Sequence, residues 1–176
     1  MKKILALLLV ASCASEPVPL PGPPGPYRPF NDPGNVAHAE RVSGYDVGHY
    51  RIEVTIDDRE EKIQGSTTIT MTAVAEVLDE VVLDAEDMTF SAVTVGSKAA
   101  QFKIRPGKLV VPVDPPAKKG DALVVRASYT GVPRHGLFRV APDKGYPNKP
   151  WMVWTQGETE YHHHWFPCWD QPNDLA

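Results

Sequence analysis

Residues 44–73 read GYDVGHYRIEVTIDDREEKIQGSTTITMTA. Tyr50, Ile52, Val54 and Ile56 alternate with Arg51, Glu53 and Thr55, the period-two pattern of a half-buried strand. Asp57 to Glu61 is a charged turn. Ile63, Gly65, Thr67, Ile69, Met71 and Ala73 then alternate with Gln64, Ser66, Thr68, Thr70 and Thr72. This second, threonine-rich strand is expected to pair antiparallel with the first through the short turn. Gly65 is expected to mark a bulge or bend.

The same rhythm continues toward the C-terminus. Glu80–Ala85, Thr89–Val95, Ala100–Ile104, Lys108–Val113 and Asp121–Tyr129 read as strands, with Val81 and Leu83 sharing a face, as do Leu123, Val125, Ala127 and Tyr129. Pro106-Gly107 and residues 115–120 read as turns. The 13 glycines and 18 prolines fit many turns and few helices, and no long window has helical periodicity. Short antiparallel strands at regular spacing give an all-β sandwich. Residues 131–149 form a polar connection rich in glycine and proline that contains a further short strand, residues 136–140. A final strand is expected over Pro150–Gln156. Trp151, Val153 and Thr155 would take one face; Met152, Trp154 and Gln156 the other. Pro172-Asn173-Asp174 reads as a helix cap.

Toward the N-terminus the pattern is different. Met1-Lys2-Lys3 followed by apolar Ile4–Val10 reads as a signal peptide over residues 1–12, too short to span a bilayer. Val10-Ala11-Ser12-Cys13 resembles a bacterial lipobox, which makes Cys13 the candidate lipidation site; an ordinary cleavage site near Ala11–Ala14 is the alternative. Several acyl chains on Cys13 would hold the protein firmly on a membrane. The expectation is an exported lipoprotein of the bacterial cell envelope. In a two-membrane cell it would sit in the outer membrane, because no acidic residue follows Cys13 directly. Residues 13–43 form a proline-rich linker of extended chain, with a brief helical turn expected over residues 35–43, and the globular domain is residues 44–176. The net charge of -4 offers no broad basic field, so nucleic acid is not an expected partner.

The residues that could carry chemistry crowd into PWMVWTQGETEYHHHWFPCWDQPNDLA, residues 150–176, which holds all 4 tryptophans. Gln156 and Glu158 are two apart, so a regular strand would send both side chains off one face. A carboxylate and an amide oxygen so placed can hold one ammonium group by charge-assisted hydrogen bonds; a solvated strand end is the plain alternative. Gly157 between them leaves a ligand room to approach. In a strand, His162 and His164 would share a face, and Glu158 or Glu160 could be proposed as the third ligand zinc needs, but supporting partners are needed as well. No metal ligand is therefore assigned in this chain, and only adventitious binding is expected of the His run. Cys168 reads as a small buried hydrophobe with no activating base nearby. Asp170 is expected to accept backbone N–H bonds, within a structural plug over residues 166–170. Trp151, Trp154, Trp165 and Trp169 are expected in the core rather than on a carbohydrate platform.

Several of these motifs, in order, resemble the N-terminal β domain of M1 (gluzincin) zinc aminopeptidases. They are Tyr45-Asp-Val-x-His-Tyr50 through Ile63-x-Gly65, Gly136-Leu-Phe138, Tyr146-Pro-Asn-Lys-Pro-Trp151, Thr155-Gln-x-Glu158 and Phe166-Pro-Cys-x-Asp170-x-Pro-Asn173. The resemblance implies a saddle-shaped β domain. It implies that Gln156 and Glu158 bind the free α-amino group at a peptide N-terminus. It further implies zinc in the parent enzyme, held by an H-E-x-x-H motif and a later Glu that this sequence lacks. The chain thus reads as cut before the catalytic domain, its expected partner, and as inactive by itself. The alternatives are a non-catalytic cell-surface module that binds peptide or glycan, and a structural adhesin-like sandwich.

Overall fold

The computed structural model describes residues 43–57, 61–158 and 160–171. The signal peptide, Cys13, the linker up to residue 42 and Pro172-Asn173-Asp174 lie outside them. The strands are β1 (Tyr45–Asp57), β2 (Lys62–Ala73), β3 (Val77–Asp84), β4 (Met88–Val95), β5 (Lys98–Ala99), β6 (Lys103–Arg105), β7 (Lys108–Lys118), β8 (Ala122–Gly131), β9 (Leu137–Val140) and β10 (Met152–Thr155). One 3-10 turn follows at His162–His164. The all-β antiparallel expectation is met throughout: every strand pair is antiparallel.

A five-stranded sheet has the order β1-β2-β8-β4-β5, and a three-stranded sheet the order β3-β7-β6. Alternation along each strand sends one set of side chains inward. Ile69, Met71, Val125 and Ala127 from the larger sheet meet Val81, Leu83, Leu109 and Val111 from the smaller one in a single buried cluster. Apart from Ala127, each of these side chains contributes about 1.5–3 kcal/mol by leaving water. In β1 the register slips between Val47 and His49. The extra residue switches the inward set from Tyr45 and Val47 to Tyr50, Ile52 and Val54.

Three local expectations need correction. Gly65 marks no bulge, since it pairs in regular register with Val54 and Tyr129. Its missing side chain instead makes room for the Tyr129 ring, which a Cβ would meet at 3.0 Å. Ala100–Ile104 is not one strand, because β5 belongs to the larger sheet and β6 to the smaller, with residues 100–102 crossing between them. The turn expected at residues 115–120 begins later: β7 runs through Pro115-Pro116 to Lys118. There the ladder with β3 shifts register between Leu78 and Glu80, as prolines without an N–H donor require.

The chain then folds back on this sandwich. Asp84 and Cys168 form an isolated antiparallel bridge, with N–H to O distances of 2.7 and 3.1 Å. Trp169 N–H donates to the Tyr50 hydroxyl at 2.9 Å. Phe166 and Cys168 are buried with Ile63 and Tyr129, so residues 166–170 do act as a plug, and Cys168 is a core side chain. No helix among the described residues is long and apolar enough to cross a membrane.

Candidate functional site

β9 and β10 form a separate two-stranded sheet, with Met152 opposite Val140 and Thr155 opposite Leu137. The regular strand ends at Thr155. The alternation argument that placed Gln156 and Glu158 on one face therefore does not reach them. What holds them is loop packing. Gln156 N–H donates to Gly136 O at 3.0 Å, and Tyr161 N–H donates to Gly157 O at 3.0 Å. Both side chains, Gln156 and Glu158, are exposed.

Two glycines make this packing possible. A Cβ at Gly157 would lie 1.9 Å from His162 Cε1. Gly157 is thus the seat of the His162 ring more than an opening for a ligand. Gly136 has φ +74°, the left-handed region that favours glycine, and a Cβ there would lie 2.0 Å from Tyr161 O. The two loops that flank Gln156 are clasped by Tyr161 and His162.

The histidines do not form a strand. Their 3-10 turn packs against the corner between β3 and β4, where Asp84, Glu86 and Asp87 lie. Glu86 N–H donates to His163 O at 2.8 Å. Asp170, 6% exposed, faces His163 Nδ1 at 2.7 Å and His162 Nδ1 at 3.3 Å, and accepts from His163 N–H at 3.1 Å. His164, also 6% exposed, places Nδ1 2.8 Å from Asp87 Oδ2. Asp87 in turn accepts from Arg134 Nε at 2.6 Å. Asp84 pairs with Lys108 and accepts from Asp170 N–H at 3.1 Å.

The charges follow from these contacts. Burial opposes ionisation of Asp170, but hydrogen bonds from the His163 ring and backbone outweigh it and hold the carboxyl below its usual range. Asp87 likewise resists burial through His164 and Arg134 and stays low. The Asp170 hydrogen bond raises His163 above the ordinary histidine value. These carboxylates remain ionised at neutral pH.

The aromatic expectation divides. Trp165 and Trp169 are half-buried, but Trp151 and Trp154 are 52% and 45% exposed, with Met152 and Val153 at 50% and 39%. Phe138 stacks on Trp154 at 5.5 Å, and Arg139 sits 5.6 Å above Trp151. Residues 151–154, whose tryptophans were expected in the core, are exposed on both faces of the strand leading to Gln156. Sequence reasoning also missed Asp84, Glu86, Asp87, Arg134 and Gly136 as neighbours of the polar turn. Motif H-E-x-x-H occurs nowhere in residues 1–176, so no residue here is assigned to a zinc held in that way.

Against known proteins, the family model for the peptidase M1 N-terminal domain matches residues 47–176. Among solved structures, the M1 zinc metallopeptidase from Deinococcus radiodurans is similar at TM-score 0.63 and 25% identity, over 75% of this chain and 30% of that one. A mutant of that metallopeptidase bound to a Tyr-Ser-Ala substrate is similar at TM-score 0.62 and 25% identity, over 74% and 30%. Leukotriene A4 hydrolase from Saccharomyces cerevisiae shares the fold at TM-score 0.60 and 21% identity, over 74% and 22%. The chain thus spans about 30% of the length of the Deinococcus enzyme. Comparison with curated proteins gives no match.

Proposed function

This chain belongs to the peptidase M1 N-terminal domain family, and from that premise we propose that it is the substrate-amine-anchoring domain of a membrane-attached zinc aminopeptidase. Gln156 and Glu158 are the anchor. The Glu158 carboxylate and the Gln156 amide oxygen accept N–H bonds from the ammonium at a peptide N-terminus. Holding that ammonium limits cleavage to the first residue. Zinc, when bound in the parent's catalytic domain, supplies carbonyl polarisation and an activated water. Cys13, as a lipid attachment point, tethers the protein to the cell envelope.

The observation that carries this reading is the pair of exposed polar side chains on a loop fixed from both sides. Gln156 and Glu158 follow a strand and are held by Gly136 and by the Tyr161–His162 clasp. A loop held through its backbone on both sides gives two acceptors a fixed base from which to meet a small cation. Support also comes from the Deinococcus relative, a mutant of which is bound to a Tyr-Ser-Ala substrate. The exposed apolar strip Trp151–Trp154 beside the anchor suits the docking of a further domain.

The test is made in the full-length protein. A hydrogen bond to a charge contributes about 1.5–3 kcal/mol. Glu158→Ala is therefore expected to lower kcat/KM for an amino-acid amide by about ten- to a few hundred-fold, with zinc content unchanged. Turnover of the mutant near that of the parent rejects the anchor. The tether is tested separately: Cys13→Ser should move the protein from the membrane fraction to the soluble fraction, and unchanged fractionation rejects it.

A further inference from the structure

We propose that Glu86, His163 and His164 form a binding site for a borderline divalent cation, zinc first, at the corner between β3 and β4. Each of the three offers one ligand atom, and these atoms lie within 4.8 Å of one another. Two imidazoles and one carboxylate are a common zinc donor set, with water in the fourth position. A strand would pair only His162 with His164 and leave Glu158 or Glu160 as the third ligand. The 3-10 turn presents adjacent His163 and His164 instead, and the fold brings Glu86 to them from far along the chain.

What separates this cluster from a chance grouping is the carboxylate support at His163 and a second carboxylate close to His164. Asp170 Oδ2 lies 2.7 Å from His163 Nδ1, and Asp87 Oδ2 lies 2.8 Å from His164 Nδ1. In His163 the Asp170 carboxylate on Nδ1 leaves Nε2 to a metal, whereas in His164 it is Nδ1 that faces Glu86, 3.8 Å from Oε2, so an ion held there takes that nitrogen in competition with Asp87. The carboxylate–histidine arrangement at His163 orients a metal-ligating imidazole and raises its basicity. The two rings stack at 4.5 Å, and Asp170 and Asp87 are 6% and 7% exposed at their side chains, so the orientation is set within the fold. Arg134 Nη2 approaches Glu86 Oε2 at 3.9 Å; it is the competing cation, and it must release Glu86 for the carboxylate to ligate. A bound ion would cross-link the plug to the β3–β4 corner and so stabilise the clasp that carries Gln156 and Glu158.

The experiment is zinc titration of the full chain without a polyhistidine tag, by calorimetry, followed by dialysis and metal analysis. We expect one zinc per chain after dialysis and a higher melting temperature with zinc. Glu86→Gln and His163→Gln should each weaken binding by about tenfold or more, as should Asp170→Asn through its effect on His163. His49→Gln, an exposed histidine on β1, should bind as the parent does. Zinc lost wholly on dialysis overturns the site, as does equal affinity in Glu86→Gln or a His49→Gln loss matching that of His163→Gln. Since the readout is binding by this chain, failure here leaves the amine-anchor proposal untouched, and failure of that proposal leaves the metal site untouched.

Discussion

Gly157 acts through its missing side chain. The His162 ring occupies the space where a Cβ would stand, so Gly157→Ala must push the ring or the loop aside. Overpacking of this kind costs about 1–3 kcal/mol. Gly157→Ala is expected to lower the melting temperature and, in the full-length protein, kcat/KM, because Glu158 is the next residue. Removing the ring as well should restore much of both, so the double mutant with His162→Ala should fall well short of additivity. Strict additivity in thermal melts would show that the contact is unimportant. Tyr129 is a second single-residue case. Its ring is buried over Gly65, and its hydroxyl lies 3.3 Å from Thr67 Oγ1. Burial raises the phenol above its ordinary value of 10.0, with Thr67 opposing. For a group raised in the folded state, stability is fully present below the unfolded value and is lost as pH climbs from about 10 through the folded one. Tyr129→Phe should cost about 1–3 kcal/mol at pH 8 by leaving Thr67 unpaired. That difference should shrink above pH 10, and denaturant midpoints at pH 8 and pH 10.5 would show whether it does.

Among the elements, the β9–β10 hairpin depends on a backbone angle at the residue just before it. Gly136 sits at φ +74° against Tyr161 O, and Gly136→Ala is disfavoured both by that angle and by the contact. Its effect should stay local. Amide exchange is expected to speed up at residues 137–140 and 152–155, while the β2–β8 ladder keeps its protection; protection lost equally in both would show that the hairpin and sandwich unfold as one. The sandwich itself was legible in the sequence, because alternation reports a strand with one buried face wherever a core exists. Ile69, Met71, Leu123, Val125 and Ala127 were readable for that reason. Alternation failed where the chain changes sheets at residues 100–102, since crossing leaves no periodic mark. It also failed at His162–His164, where neighbours from β3 and β4 decide the turn. Gln156 and Glu158 were singled out by motif alone, and the contacts around them could not be read: Gly136 and Tyr161 reach them through folding. Trp151 and Trp154 were misplaced because large aromatics usually signal burial, and the sequence of a hairpin does not tell which body covers it.

At the scale of the whole molecule, that uncovered hairpin has consequences for solution behaviour. Trp151, Met152, Val153 and Trp154 are all more than one-third exposed, and Tyr146 is 72% exposed. Large apolar side chains exposed on both faces of a hairpin suit an interaction site. The proposed occupant is the catalytic domain of the longer parent, since the chain spans only about 30% of the Deinococcus enzyme. The chain by itself should then bind a hydrophobic dye and self-associate as concentration rises, whereas the longer protein should do neither. Replacing Met152 and Trp154 together by threonine and serine should suppress dye binding in the isolated chain. Stability should change by no more than about 0.5 kcal/mol at Met152 and by about 0.5–1.5 kcal/mol at Trp154, which loses its stack on Phe138. In the longer protein the same pair should weaken the junction between domains and make the chain easier to cleave by protease after residue 171. Dye binding that persists in the double mutant, or a longer protein as sticky as the isolated chain, would mean that the strip is ordinary surface and that the further domain docks elsewhere.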